Sequence, residues 1–202
     1  MPLVIAAGPS VTDYDKLHLQ NLARMGFTFA VNHTCFDFAC DVVVSLDPDM
    51  ARVEYDRLKQ LGKPVITRPW EGLKKLDLDF IWLNDKGFEK PMYSGMVAAK
   101  LADCLAVGRP SYVIGMDASM GRYKGHSGDK KMHIYNMCPP VSYKGLGLIN
   151  TINLSVHSKI SCWPKQSKLP RVAKIIVSPV QRVVSVAWLR ANAAKVISET
   201  LQ

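Results

Sequence analysis

Short apolar runs that end in polar or turn-forming residues constrain this fold more than any other feature of the sequence. The clearest four are followed by Gly8-Pro9-Ser10, by Asn32, by Asp47-Pro48-Asp49 and by Gly115-Met116-Asp117. Helical patterns separate the runs, which favours a mainly parallel sheet with helices on both faces. We therefore predict a single α/β domain of Rossmann-like type, with these residues gathered at the carboxyl ends of its strands.

The individual elements follow from apolar periodicity and from Gly, Pro and capping residues. Strands are predicted at 3–7, 27–31, 41–46, 63–67, 79–83, 112–114 and 159–162. Helices are predicted from Thr12 or Asp13 to Met25, with Leu17, Leu22 and Met25 on the apolar face, and at 49–61, 95–107, 145–157 and 178–200. Residues 1–170 would form the nucleotide-binding domain, and 171–202 a helical extension packed on it.

Charge and cysteine content bear on partners and compartment. The net charge is +9, which favours an anionic partner, although basic proteins of this size are common. The five cysteines form no CxxC pair, and no secretory leader or membrane-length apolar run is evident. These features predict a cytoplasmic protein with free thiols and no transmembrane segment.

Gly8-Pro9-Ser10 lies at a predicted strand-to-helix turn. Glycine permits close backbone approach, and the following helix start offers N–H groups to an anion. The alternative is an ordinary turn, because neither GxGxxG nor a GK[ST] loop is present. Ser94-Gly95 opens another helix in the same way, and its alternative role is close packing of that helix.

Asp47-Pro48-Asp49 has the DxD spacing with which many glycosyltransferases hold a divalent metal on a diphosphate. Carboxylate oxygens at Asp47 and Asp49 suit Mg²⁺ or Mn²⁺. In the competing interpretation, which we slightly favour, these aspartates cap a turn and a helix with proline at its first position.

The segment 121–136 is the densest in catalytic residue types. Tyr123, Arg122 and Lys124 have the chemistry to bind a phosphate, and His126 or His133 to act as general base. A long stretch without clear periodicity is commonly functional, but it is also compatible with a solvated basic loop.

Taken together, several of these blocks are similar to a known family. VIAAGPS, AVN, DP, SGMVAAKLADCLAVG, YVIGMD and KISCWPKQSKL resemble the small bacterial sialyltransferases that modify lipooligosaccharide, in order and at similar spacing over residues 3–168. They equally resemble the related Rossmann-like proteins grouped with the archaeal 6-hydroxymethylpterin pyrophosphokinase.

The resemblance implies a binding site for a cytidine monophosphate donor. The positions that match the family's donor contacts are Gly8, Pro9, Ser10, Asn32, Asp47, Ser94 and Gly95, with Asp117 beside them. Tyr123 matches one of two phosphate-binding tyrosines, whereas Ala118 or Ser119 stands at the other. His126 resembles the family's base but comes earlier in the chain, so His133 competes, and Asp47 replaces an asparagine.

These observations leave three functional hypotheses. The first is a glycosyltransferase that moves a sugar from a nucleotide-activated donor to an acceptor hydroxyl, with DNA or a glycan as candidate acceptors. It needs no metal by the resemblance, although Mg²⁺ or Mn²⁺ is compatible with Asp47 and Asp49. The second is a Mg²⁺-dependent pyrophosphokinase acting on a small hydroxymethyl heterocycle. The third is a nucleotide- or nucleic-acid-binding module without catalysis.

Overall fold

A seven-stranded parallel sheet forms the centre of the molecule, with the strand order β5-β4-β3-β2-β1-β6-β7. The computed structural model describes residues 1–84, 92–117, 146–155, 157–171 and 176–200. The strands are β1 (Pro2–Ile5), β2 (Phe27–Val31), β3 (Val42–Val44), β4 (Val65–Thr67), β5 (Phe80–Trp82), β6 (Ser111–Ile114) and β7 (Thr151–Asn153). The predicted α/β Rossmann-like class is confirmed.

Five α-helices cover the two faces of this sheet. They are α1 (Lys16–Met25), α2 (Pro48–Val53), α3 (Tyr55–Leu61), α4 (Ser94–Ala106) and α5 (Pro179–Thr200). Three short 3-10 turns accompany them, at Pro9–Asp13, Asn32–Phe36 and Leu73–Lys75. None of the described helices is both long and apolar enough to cross a bilayer.

Helix α4 is the central element of one face. Its alanines 98, 99 and 102 are fully buried, so the helix lies close against β1, β2, β3 and β6. Helix α5 continues this layer, burying Leu189, Ala193 and Ile197 and contacting both α4 and β5. Helices α4 and α5 thus form one layer on this face of the sheet.

On the opposite face, α1 and the α2–α3 pair cover different strands. Leu19 and Leu22 of α1 pack with β1 and β6, while Met50 and Leu58 pack with β3 and β4. The predicted apolar face of α1 is partly wrong, because Leu17 is 62% exposed and Met25 39% exposed. The helix begins at Lys16 with Asp15 as its cap, rather than at Thr12 or Asp13, which shifts the buried face.

Three further sequence predictions need correction. The expected helix 49–61 is two helices, which meet at Glu54. The expected helix 145–157 instead contains β7, because Thr151 and Ile152 suit a strand and Gly147 adopts a positive φ of 57°. No strand forms at 159–162; the chain pairs with Asn153 only later, where Asn153 N–H donates to Pro164 O and Gln166 N–H donates to Asn153 O.

Candidate functional site

The order of the strands places a topological switch between β1 and β6. From β1 the chain builds outward to β5 and then returns to add β6 on the other side of β1. In open parallel sheets of this kind, ligands bind at the carboxyl ends of the strands beside such a switch. The loops that follow β1 and β6 begin with Gly8-Pro9-Ser10 and Gly115-Met116-Asp117, so both predicted motifs meet here.

Gly8 and Ser10 contact the β6 loop directly. Gly8 N–H donates to Gly115 O over 2.8 Å, and Ser10 N–H donates to Asp117 Oδ2 over 2.8 Å. A Cβ at Gly8 would lie 2.3 Å from Asp117 Oδ2 and 2.4 Å from Gly115 O. Glycine is therefore required at position 8 for close approach to the protein's own β6 loop.

The same contacts change the predicted role of the loop. The chain after Pro9 forms a 3-10 turn, and α1 begins only at Lys16. The Ser10 N–H, within this turn, donates to the Asp117 carboxylate. This wall of the site therefore presents a carboxylate rather than a row of N–H groups to a ligand.

Asp117 is a buried carboxylate with one satisfied oxygen. Its residue is 6% exposed, and its Oδ1 is buried without a hydrogen-bond partner among the described residues. An ionised carboxylate oxygen only accepts hydrogen bonds, and a buried acceptor left alone costs free energy. Asp117 Oδ1 is thus a buried acceptor without a donor among the described residues.

Ser155 is a site residue that the sequence analysis missed. Its Oγ lies 2.7 Å from Ser10 Oγ and accepts from Gly115 N–H over 3.1 Å, so it joins both loops. Its own N–H donates to Asn153 Oδ1 over 2.9 Å. The alternation of Thr151, Asn153 and Ser155 with apolar residues is the strand signal that would have placed it at this edge.

Tyr14 closes the outer side of the β1 loop. Its hydroxyl donates to Leu154 O, which links the turn after β1 to the chain after β7. Burial, together with the negative charges of Asp13 and Asp117, raises the pKa of this hydroxyl above its ordinary value. Tyr14 therefore stays a neutral donor, and its ring forms part of the packing beside the site.

Asn32 projects from the carboxyl end of β2 in an uncommon backbone conformation. Its φ is +52°, and its Oδ1 is buried with no partner within the described chain. Thr34 Oγ, which donates to the carbonyls of Ile5 and Val31, fixes the turn that carries it. His33 Nε2 lies 3.3 Å from Glu54 Oε1 and ties the turn to the α2–α3 junction. Asparagine is among the residues that adopt this conformation most readily, so the buried Oδ1, and not the φ angle, is the unusual feature of Asn32.

Asp47 and Asp49 have local structural partners. Asp47 Oδ1 accepts from Asp49 N–H over 3.0 Å and caps α2, with Pro48 at its first position. Asp49 is exposed and pairs with Arg52 at 3.3 Å. Across the described ranges, no group of three His, Cys, Asp or Glu side chains is placed to hold a metal ion. Asp47 is therefore the cap of α2, whereas Asp49, which was expected to cap this helix, lies in its first turn.

Ser94 and Gly95 join the start of α4 to the loops that follow β3 and β6. Ser94 Oγ accepts from Leu46 N–H over 2.9 Å, which ties the start of α4 to the loop after β3. A Cβ at Gly95 would lie 3.1 Å from Met116 Cε, so the helix start also packs on the β6 loop. The predicted Ser94-Gly95 start thus lies between the β3 and β6 loops, beside the Gly8 loop.

Unsatisfied buried polar atoms gather along this edge of the sheet. Besides Asn32 Oδ1 and Asp117 Oδ1, they include Thr67 Oγ1 and Asn153 Nδ2, which end β4 and β7. Native proteins leave few buried polar atoms without a partner, and such atoms point to a ligand, ion or water. The catalytic candidates His126 and His133 and the phosphate candidate Tyr123 lie outside the described residues.

Known proteins give no further guide to this site. Comparisons of the chain with family models, with curated proteins and with solved structures found no significant match. The functional interpretation therefore depends on the geometry of the carboxyl edge and on the sequence motifs.

Proposed function

We propose that this chain is a glycosyltransferase-like enzyme that binds a nucleotide-activated sugar at the carboxyl edge, between β1 and β6. The observation that carries the proposal is the meeting of the Gly8 loop with Asp117 at the topological switch, beside buried polar atoms that lack partners. The resemblance of the same loops to those of small sialyltransferases supports it.

The chemistry of the edge favours the nucleoside part of the donor over its phosphate. Asp117 Oδ1 needs a hydrogen-bond donor. Ribose hydroxyls and base amino groups supply donors, whereas an ionised phosphate supplies none and is repelled by the carboxylate. We therefore place the ribose or base beside Gly8 and Asp117, and the phosphate towards the residues that follow Asp117, where the sequence has Arg122, Tyr123 and Lys124.

The proposed reaction is a direct displacement. An acceptor hydroxyl oxygen attacks the anomeric carbon, the bond from that carbon to the phosphate oxygen breaks, and the nucleotide leaves with the bonding electrons. His126 or His133 takes the proton of the acceptor hydroxyl. Tyr123 and the neighbouring cations stabilise the charge that develops on the leaving phosphate.

A binding and turnover panel tests this function. Purified protein is mixed with CMP, UDP, GDP, ADP and their sugars, with and without Mg²⁺, and its melting temperature is recorded. A nucleotide that binds the folded state raises this temperature by an amount that grows logarithmically with its concentration relative to its dissociation constant. Labelled nucleotide sugars are then followed for hydrolysis and transfer by wild type and by the His126→Ala and His133→Ala variants.

The expected result is stabilisation by one nucleotide class and loss of turnover in one histidine variant. The proposal is wrong if no nucleotide or nucleotide sugar stabilises the protein and no sugar is released. Magnesium-dependent consumption of ATP with a hydroxymethyl heterocycle would instead support the pyrophosphokinase hypothesis. Binding without turnover, unaffected by replacing both histidines, would support the non-catalytic module.

A further inference from the structure

The excess of positive over negative residues lies in the carboxy-terminal part of the sequence. Residues 118–202 contain 13 of the 26 Lys and Arg residues but only 2 of the 17 Asp and Glu residues. Residues 1–117 therefore have a slightly negative net charge, although they include most of the sheet. Arg182 and Arg190 of this part pair with Asp41 and Asp79 of the amino-terminal part, so its excess positive charge rests on the other cations.

One described segment of this part lies beside the candidate site. We name residues 157–171 the basic edge segment. Lys159 N–H donates to Asp117 O over 3.0 Å, and Ser158 Oγ donates to Met116 O over 2.8 Å. The segment then pairs with the last residue of β7, where Asn153 bonds to Pro164 and Gln166. It thus reaches from the β6 loop to the carboxyl end of β7, the outermost strand.

The basic edge segment contains four cations and no carboxylate. They are Lys159, Lys165, Lys168 and Arg171, and all four are exposed. The side chain of Lys165 donates to Ser158 O over 2.6 Å, which joins the middle of the segment to its beginning. None of the ion pairs within the described ranges involves Lys159, Lys168 or Arg171. Their charges therefore face solvent without neutralisation.

We propose that the basic edge segment binds the phosphate backbone of a nucleic acid and leads the strand to the site beside Asp117. Lys165, Lys168 and Arg171 recur at every third residue, so the charges are spread along the segment instead of converging on one small anion. A spread row of cations matches a polymer with regularly repeated phosphates. The segment has no apolar helix face with which to enter a membrane surface.

The binding itself is independent of the proposed glycosyl transfer, whereas the idea that the nucleic acid is the acceptor rests on that function. The basic edge segment and the proposed nucleoside site both contact the β6 loop at Asp117. The Asp117 side chain accepts from Ser10 N–H, and its backbone carbonyl accepts from Lys159 N–H. A bound strand would therefore lie next to the donor site.

The test is fluorescence anisotropy with labelled 20-nucleotide DNA and RNA, single-stranded and duplex, at several salt concentrations. The test variant is Lys159→Glu/Lys168→Glu/Arg171→Glu. The matched control is Lys63→Glu/Lys74→Glu/Lys75→Glu, which changes the net charge equally in the amino-terminal part of the chain. Melting temperatures check folding, and the milder Lys168→Gln/Arg171→Gln variant replaces the triple variant if that one unfolds.

We expect wild type to bind, with affinity that falls steeply as salt rises. The test variant should bind at least 30-fold more weakly, with a salt slope smaller by about two to three, as expected for the loss of two or three phosphate contacts. The control should lose less than threefold. Equal losses in both variants, or the absence of binding by wild type, would overturn the proposal.

Competition experiments test whether the segment prefers another polyanion to nucleic acid. Polygalacturonate and vesicles containing phosphatidylglycerol are added at equal charge concentration, and tighter binding to either one than to DNA and RNA contradicts a nucleic-acid surface. Binding of nucleic acid without sugar transfer would leave this inference standing and count against the proposed function. Sugar transfer to a glycan without nucleic-acid binding would do the reverse.

Discussion

The amino and carboxyl edges of the sheet bury carboxylates to a similar extent but satisfy them differently. At the amino edge, Asp41 and Asp103 are 8% and 5% exposed; at the carboxyl edge, Asp117 is 6% exposed. Asp41 accepts from Thr28 N–H and pairs with Arg182, and Asp103 accepts from Asn150 N–H and Thr151 Oγ. Only Asp117 keeps a buried oxygen without a partner in the described structure.

This difference separates structural polar groups from groups that await a ligand. A buried carboxylate whose oxygens are all hydrogen-bonded holds loops and helix ends together. A buried carboxylate with an unused oxygen weakens the unliganded protein and gains when a ligand supplies the donor. The carboxyl edge, where Asn32 shows the same property, is therefore the edge at which we propose that a ligand binds.

The largest expected effect on stability comes from Gly115, where the β6 loop lies against the backbone at the end of β1. Gly115 has a φ of +73°, and a Cβ there would lie 2.1 Å from Ala6 O. We expect Gly115→Ala to lower the free energy of unfolding by about 3 kcal/mol or more, from strain and overpacking together. Urea denaturation followed by circular dichroism measures the loss.

Gly62→Ala is the matched control for that substitution. Gly62 also has a positive φ, +62°, but nothing lies within 4 Å of the added Cβ. Only the backbone penalty applies, so we expect a loss of about 1 kcal/mol. Equal losses at the two glycines would show that the close crossing of the β1 and β6 loops does not matter for the edge.

The next effect compares the two kinds of buried carboxylate directly. In Asp103→Asn the amide oxygen still accepts from one of the Ile149 and Asn150 N–H groups, but the amino group faces the other, and we expect a loss of about 2 kcal/mol. Asp117→Asn keeps an acceptor for Ser10 N–H and removes a buried charge, so we expect a change below about 1 kcal/mol. Denaturation of both variants, side by side, checks the contrast. A large loss in Asp117→Asn would make that residue structural.

The smallest expected effect on stability concerns the contact between Glu54 and His33, which holds the turn that contains Asn32. Glu54 contacts both His33 and Arg57, at 3.3 and 2.9 Å, and its side chain is 16% exposed. We expect Glu54→Gln to lower stability by about 1 kcal/mol and to speed amide exchange at residues 31–36. Hydrogen exchange with mass spectrometry detects the loosening.

The exposed pair between Lys59 and Asp77 supplies the control for Glu54. Asp77 is 86% exposed in its side chain, so Asp77→Asn should change stability by less than about 0.5 kcal/mol and leave residues 31–36 unaffected. Unchanged exchange in Glu54→Gln would mean that the contact with His33 does not hold the β2 turn.

The sequence predicted most of the sheet because buried parallel strands are nearly continuous apolar runs. Strand 27–31 and the helix from Ser94 were placed within one residue, and their bounding Gly and Ser residues explain why. The predicted helix at 145–157 was wrong. The spacing of its apolar residues is compatible with a helix or a strand, and its Thr and Ile residues favour the strand β7 that forms there. Because this strand was not predicted, Ser155 was not predicted as a site residue.

The candidate site was predicted only in outline. The strand ends identified Gly8, Ser10, Asn32, Ser94 and Asp117, since parallel strands bring their carboxyl ends to one edge. Local pattern does not specify that Asp117 occupies the Ser10 N–H, because that contact joins residues 107 positions apart. It also left the choice between metal binding and capping open at Asp47, which the hydrogen bond to Asp49 N–H favours as a cap.

The most direct test of the account is calorimetric titration of wild type and Asp117→Asn with the nucleotide from CMP, UDP, GDP and ADP that stabilises wild type most. We predict that the variant folds normally and binds at least 10-fold more weakly, which corresponds to about 1.4 kcal/mol. Equal dissociation constants for the two proteins would contradict the claim that the unsatisfied carboxylate at the β1–β6 switch recognises the nucleoside.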